Sequence, residues 1–205
     1  MAGLSLITAA FVLDRRAAAA DGWSAYQLFA AEQGPLQAMR RERRQAPAAG
    51  APDLFDEIEA HLESSNQGRS WFLTESRVRA RAAGIGRSYE ALRCASALAR
   101  VVLRNPVAPD GRPAVYALLG EALAAFGQGL RPDIVLFKAV FRLARGEGYP
   151  VKQEWLAQLP ADESAAAEDL LARPVRGAAA DPVQVARWQR SLDDYLRGRA
   201  EFDIE

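Results

Sequence analysis

The spacing of apolar residues changes once along the chain, near Gly84. Before that point they run together or alternate with polar ones. Leu4 to Leu13 is a short continuous apolar run, the pattern of a strand covered on both faces. Trp23 to Ala31 and Leu36 to Arg41 predict two shorter strands, separated by the turn residues Gly34-Pro35. From Phe55 to Glu63, Ile58, Ala60 and Leu62 alternate with Glu57, Glu59, His61 and Glu63. A period of two gives a strand one buried face and one wet face. Ser64-Ser65-Asn66-Gln67-Gly68 then supplies a turn, and Ser70 to Arg81 predicts a returning strand with Arg77, Arg79 and Arg81 on one face. Short strands joined by such turns predict a small sandwich or barrel.

Beyond Gly84 the period becomes helical. Ser88 is placed to cap a helix with Glu90 in its first turn, and Tyr89, Leu92, Ser96, Ala99 and Leu103 follow at helical spacing until Asn105-Pro106. Pro113 opens a second helix, with Leu119, Leu123 and Phe126 on one stripe and Gly127 as its stop. Pro132 opens a third, Asp133 to Arg145, apolar nearly all round except at Lys138, Arg142 and Arg145, which predicts the centre of a bundle. Asp181-Pro182 starts the last, carried by Val185, Trp188, Leu192 and Tyr195. Strands followed by helices predict an α+β chain of two domains, residues 1–82 and 83–205.

Composition alters this picture little: 205 residues, half of them hydrophobic and a quarter charged, are ordinary for a globular protein with a sizeable core. Lys plus Arg and Asp plus Glu both total 26, so a nucleic-acid site requires local segregation of charge. Residues 1–82 carry ten basic and ten acidic side chains, 83–150 nine and five, and 151–205 seven and eleven. The densest positive cluster, Arg40-Arg41-Glu42-Arg43-Arg44, runs into Gln45-Ala46-Pro47-Ala48-Ala49-Gly50 with the composition of a linker. A single cysteine, Cys94, and a single histidine, His61, exclude an intrachain disulfide and leave no Cys/His set for a zinc cage. The apolar run at 4–13 is half of the roughly 20 residues that a membrane span needs, and no basic segment precedes it. A cytoplasmic protein is expected.

Catalytic chemistry finds little to stand on. Gly84-Ile85-Gly86-Arg87-Ser88 precedes a helix, but Tyr89 stands where a dinucleotide fingerprint needs a third glycine, and no Gly-Lys-Ser or Gly-Lys-Thr occurs. An interdomain turn accounts for it. Glu57, Glu59 and Glu63 read as a solvated strand face, His61 as a surface histidine among them, and Cys94 as a small core residue. No constellation for an enzyme results, and no metal or cofactor site.

Binding signals are better. Single-stranded nucleic acid is held by a basic groove together with aromatic faces on which bases stack. Arg15, Arg16, Arg40, Arg41, Arg43, Arg44, Arg77, Arg79 and Arg81 supply cations, with Trp23, Tyr26, Phe29 and Trp71 nearby in sequence. The other reading of the same residues is a barrel core with an ordinary charged surface. On the third helix Lys138, Arg142 and Arg145 lie at i, i+4 and i+7, either as its exposed edge or as the rim of a site for an acidic peptide ending in apolar residues.

The order of several short motifs adds a resemblance. Ala10-Phe11-Val12-Leu13-Asp14-Arg15-Arg16, then Tyr26-Gln27-Leu28-Phe29-Ala30-Ala31-Glu32-Gln33-Gly34-Pro35-Leu36, then the basic run, together resemble the opening of the RecO family of recombination mediators. The likeness continues through Leu54-Phe55-Asp56, the helix with Ala95-Ser96-Ala97, and Asp133-Ile134-Val135-Leu136-Phe137 leading to Gly148-Tyr149-Pro150. Many members place four zinc-binding cysteines after that turn. Val151 to Pro160 has none, so the zinc hairpin would be lost or shortened near 148–160, with Trp155 and Leu156 replacing metal contacts. The resemblance implies an N-terminal OB-fold, a helical second domain, and no nucleotide hydrolysis. It implies binding to single- and double-stranded DNA, strand annealing, a nucleoid-associated location, and partnership with RecR and single-stranded DNA-binding protein in loading RecA. The acidic tail of single-stranded DNA-binding protein is then expected on Lys138 and Arg142 beside Phe137 and Phe141. The alternative is a protein-interaction scaffold of the same fold without DNA binding.

Overall fold

The computed structural model describes residues 3–17, 22–41, 51–64, 67–199 and 202–204. Its contacts divide the chain into two compact units, Met1–Ala82 and Ala83–Glu205. The first holds the strands and the second the helices, the α+β arrangement that the change of spacing predicts. Among the described residues no helix is long and apolar enough to cross a membrane.

In the first unit β1 (Leu4–Ala17), β2 (Trp23–Ala30), β3 (Gly34–Arg41), β4 (Glu57–Ser64) and β5 (Trp71–Ala80) close into a barrel in the order β1-β2-β3-β5-β4. The β3–β5 ladder is parallel, and the other four are antiparallel. Alternation explains the interior: Ala10, Val12, Tyr26, Leu28, Ile58 and Leu62 all point inward. The closing β3–β5 ladder is short, pairing Ala38 with Trp71 and Met39 with Phe72.

Several expectations need correction. β1 extends to Ala17 and is covered on both faces only from Ala10 to Leu13; further back Leu4 is 48% and Ile7 61% exposed. The register of β1 against β2 slips between Val12 and Asp14, which inserts Leu13 as a bulge and puts neighbouring apolar residues on both sides. Gly34 and Pro35 begin β3 rather than form the turn, and Gly34 takes φ 73° where that strand starts. Phe55 lies before β4, not in it: at φ 69° its buried ring turns the chain while its N–H donates to the Val12 carbonyl at 2.7 Å. Arg81 lies beyond β5.

The second unit is organised around α3 (Pro132–Gly146), which packs on α1 (Tyr89–Arg104), α2 (Arg112–Gly127) and α6 (Pro182–Arg197). The apolar circumference of α3 therefore marks the bundle centre, as expected. Phe137 lies 5.8 Å from Trp155 and 6.1 Å from Trp188, and Phe141 6.0 Å from Trp155, an aromatic cluster that buries large area. Trp155 belongs to a π-helical turn, Val151–Trp155, that runs into α4 (Leu156–Gln158), and its indole N–H donates to Ser191 Oγ at 3.1 Å. α5 (Ala161–Ala172) then leads toward α6.

Ser88 caps α1 as expected, its Oγ accepting from the Ala91 N–H at 3.3 Å. Of the stripe expected on α1 only Ala99 is buried. Ala91, Cys94, Ala95, Leu98 and Val102 face inward, while Tyr89 is 77% and Leu92 37% exposed. The left-handed residue after α2 is Gly129 at φ 72°, whose N–H bonds the Phe126 carbonyl. Gly127 has a different neighbour: a Cβ on Gly84 would fall 1.9 Å from its carbonyl oxygen. The Gly84-to-Ser88 segment is thus a place where two backbones touch, which supplies a packing reason for its first glycine.

Candidate nucleic-acid interface

Barrel registers decide which arginines share a surface. Trp23 on β2 sits opposite Arg41 on β3, and Met39 opposite Phe72 on β5. Directly paired residues project to the same side of a sheet. Since Ser24 and Ala38 face the interior, Trp23, Met39, Arg41 and Phe72 face out. The Trp23 and Phe72 rings meet edge to face at 5.7 Å, and Phe72 is 36% exposed. Arg16, opposite Ala25, joins the same outer face, its Nε 2.7 Å from the Asp14 carboxylate of its own strand. Two aromatic rings with a guanidinium beside them are the elements that a stacking platform uses.

Arg15 and Arg40 stand on the inward side at the barrel's end. Arg15 lies over the Tyr26 ring, 5.5 Å from its centroid, and Arg40 Nη1 donates to Ser76 Oγ at 3.3 Å. Arg43 and Arg44 lie outside the described residues. The four aromatics divide: Tyr26 is fully buried in the barrel interior, Phe29 is fully buried but on the opposite face of β2, and Trp23 and Trp71 are both half-buried, Trp71 against the core and Trp23 on the outer face.

The expected Arg77, Arg79 and Arg81 face is broken up. Arg77 pairs across the ladder with Glu59, and Arg79 lies 3.9 Å from Glu57. Arg81 donates from Nη1 to the buried Asp56 carboxylate at 2.8 Å and to the Ala51 carbonyl at 3.1 Å. Asp56 also accepts from the backbone N–H of Asp53 and of Ala82, so it ties the approach to β4 onto the end of β5. The acidic face of β4 and the basic face of β5 thus become adjacent halves of one mixed surface. His61 lies within it, 3.7 Å from Glu59 and 4.0 Å from Glu75.

On the second unit, Phe137, Phe141, Lys138 and Arg142 do not form a peptide pocket. The two phenylalanines are 0% and 5% exposed and face the tryptophan cluster. The Lys138 ammonium donates to the carbonyls of Leu170 and Arg173, closing the end of α5. Burial, with Arg142 nearby, holds its pKa below the ordinary lysine value. Arg142 pairs with Glu121 on α2 at 2.6 Å. The stripe of Lys138, Arg142 and Arg145 is the rim of a core helix. Burial pushes the Cys94 thiol up, which disfavours the thiolate that nucleophilic chemistry needs. Among the described residues no group of three or more His, Cys, Asp or Glu is placed to hold a metal ion.

Sequence reasoning missed Phe72. The signal was available: with Trp71 facing inward, alternation sends Phe72 to solvent, and an exposed aromatic on a strand is the one free to stack. A scan against protein-family models matches no family, and a search of curated proteins finds no match.

Proposed function

We propose that this chain is a non-enzymatic nucleic-acid-binding protein whose barrel is an OB-fold holding single strands across β2, β3 and the start of β5. The observation that carries this reading is the outward pair Trp23 and Phe72 with Arg41 alongside. The strand order β1-β2-β3-β5-β4 supports the OB-fold, a five-stranded Greek-key barrel that uses its second and third strands for oligonucleotides. Taken with the motif order that resembles RecO, it favours a mediator of recombinational repair. Such a protein binds single- and double-stranded DNA, anneals complementary strands, and works with RecR and the tail of single-stranded DNA-binding protein to load RecA. The mixed-charge β4–β5 wall favours the competing reading, a scaffold without DNA binding, because carboxylates there oppose phosphates.

Fluorescence anisotropy with a labelled single-stranded oligonucleotide separates the two. Base–aromatic stacking is worth about 1–3 kcal/mol per base, so Trp23→Ala with Phe72→Ala should weaken binding at least tenfold. Arg77→Ala with Arg79→Ala should change it less than twofold. No binding by the parent protein would favour the scaffold, and a reversed ranking of the two variants would move the interface to β4–β5.

A further inference from the structure

The segment Phe202–Ile204, just beyond α6, lies on the helical unit through side chains rather than regular structure. Asn105, the residue that ends α1, is 4% exposed and its carboxamide engages both main-chain groups of one residue. Its Nδ2 donates to the Asp203 carbonyl at 2.7 Å, and its Oδ1 accepts from the Asp203 N–H at 2.9 Å. A second Nδ2 bond goes to Val101 O at 2.7 Å. Without a peptide backbone in place, two of these buried polar positions lose their partners, which is costly. The pocket is thus built for a main chain.

Side-chain contacts around that clasp set a pattern. Phe202 is 5% exposed and meets the Tyr149 ring edge to face at 5.2 Å. Arg104 Nη1 lies 3.3 Å from the Asp203 carboxylate. Ile204 borders a small cleft whose other lining is apolar at Ala97, Val101, Leu136 and Val140 and polar at Arg100, Gln189 and Asp193. An aromatic side chain, then a carboxylate, then an aliphatic one are read in order, with the backbone held between them.

We infer that Asn105 and its surroundings form a binding site for a short peptide of the pattern aromatic–acidic–aliphatic, which Phe202–Ile204 fills in cis and which such a segment of another protein occupies by displacing it. Main-chain bonds give affinity and flanking pockets give selectivity, the logic of other peptide grooves. The local segment holds the site because its tether makes its effective concentration high, of the order of millimolar. This inference is independent of nucleic-acid binding.

A fluorescein-labelled peptide Ala-Glu-Phe-Asp-Ile-Glu, the sequence of residues 200–205, is titrated into the full chain. F202A and D203P each weaken the local segment, the second by removing the N–H that Asn105 accepts. Both should bind the peptide at least tenfold more tightly than the parent. Adding N105A to F202A should remove that gain, and a peptide with Ala for Asp should bind at least fivefold more weakly. Circular dichroism reports folding. Equal affinity in parent and F202A, or a gain that survives N105A, would overturn the site. Loss of folding in both F202A and D203P would make the segment a fixed part of the core and would overturn its displacement.

Discussion

At Gly84 one missing Cβ decides whether two backbones can meet. Any side chain there collides with the Gly127 carbonyl, whereas a Cβ on Gly86 meets nothing within 4 Å. Gly84→Ala should therefore cost about 1–3 kcal/mol through forced backbone displacement. Gly86→Ala, at a position without positive φ, should stabilise by about 0.4–1 kcal/mol by restricting the unfolded chain. Urea unfolding of both variants measures the two signs, and equal effects would refute the contact. Asp193 offers a second test. Burial pushes its carboxyl up to about 6, from an ordinary 3.8, although the Gln189 amide and Arg197 favour the ionised form. Between those pH values the folded protein binds more protons than the unfolded one, so this group lowers stability as pH rises from 4 to 6 and not beyond. Asp193→Asn should match the parent at pH 3 and exceed it at pH 8, by about 1 kcal/mol once access of water is allowed for. A parent and variant with parallel melting-temperature profiles would sink this account.

An element is legible in sequence when its buried face differs chemically from its wet one. β4 meets that condition, with Ile58, Ala60 and Leu62 inward and carboxylates outward. α5 does not: its buried residues are Ala167 and Leu170, set in an alanine-rich stretch that shows no apolar stripe. Polar contacts fasten α5: Glu163 near its start accepts from Trp188 and pairs with Arg187, and the Lys138 ammonium takes the Leu170 and Arg173 carbonyls at its end. Lys138→Met keeps the apolar stem and removes the donor, so stability should drop by about 1–2 kcal/mol. Hydrogen exchange should show the loss of protection concentrated in α5, and a loss spread evenly over α3 would indicate a packing defect instead. Registers are less legible than elements. The sequence displays Arg77 and Arg79 on one strand and Glu57 and Glu59 on another, but only pairing shows that they face each other. Trp23 and Arg41 were recognisable as candidates singly, while their opposition across β2 and β3, and the arrival of Phe72 beside them, depend on closure of the barrel.

For the molecule as a whole, a formal charge of zero means that no net charge draws a polyanion in. Attraction has to come from a few cations near the stacking face, and salt dependence counts them. Arg16 and Arg41 lie on that face, Arg16 already paired with Asp14; Arg40 stands at the adjoining end of the barrel with a neutral partner, and Arg43 and Arg44 follow within three residues in sequence. Arg77, Arg79 and Arg81 are set against Glu59, Glu57 and Asp56, so their phosphate contacts would first require loosening of those neighbours. For single strands the logarithm of affinity falls with the logarithm of salt by about 0.7 per phosphate neutralised. Four cations predict a slope near −3, and all seven a slope near −5. Titrations at several salt concentrations should give the shallower value, and charge reversal of Arg40, Arg41, Arg43 and Arg44 should flatten it while weakening every oligonucleotide sequence alike. A slope near −5 that falls only to about −2 on this reversal would place phosphates along β5 as well, in spite of the carboxylates beside it. A slope near −3 that is lost on reversal, with the aromatic contribution intact, would fix the backbone of the strand along β3 and its bases over Trp23 and Phe72.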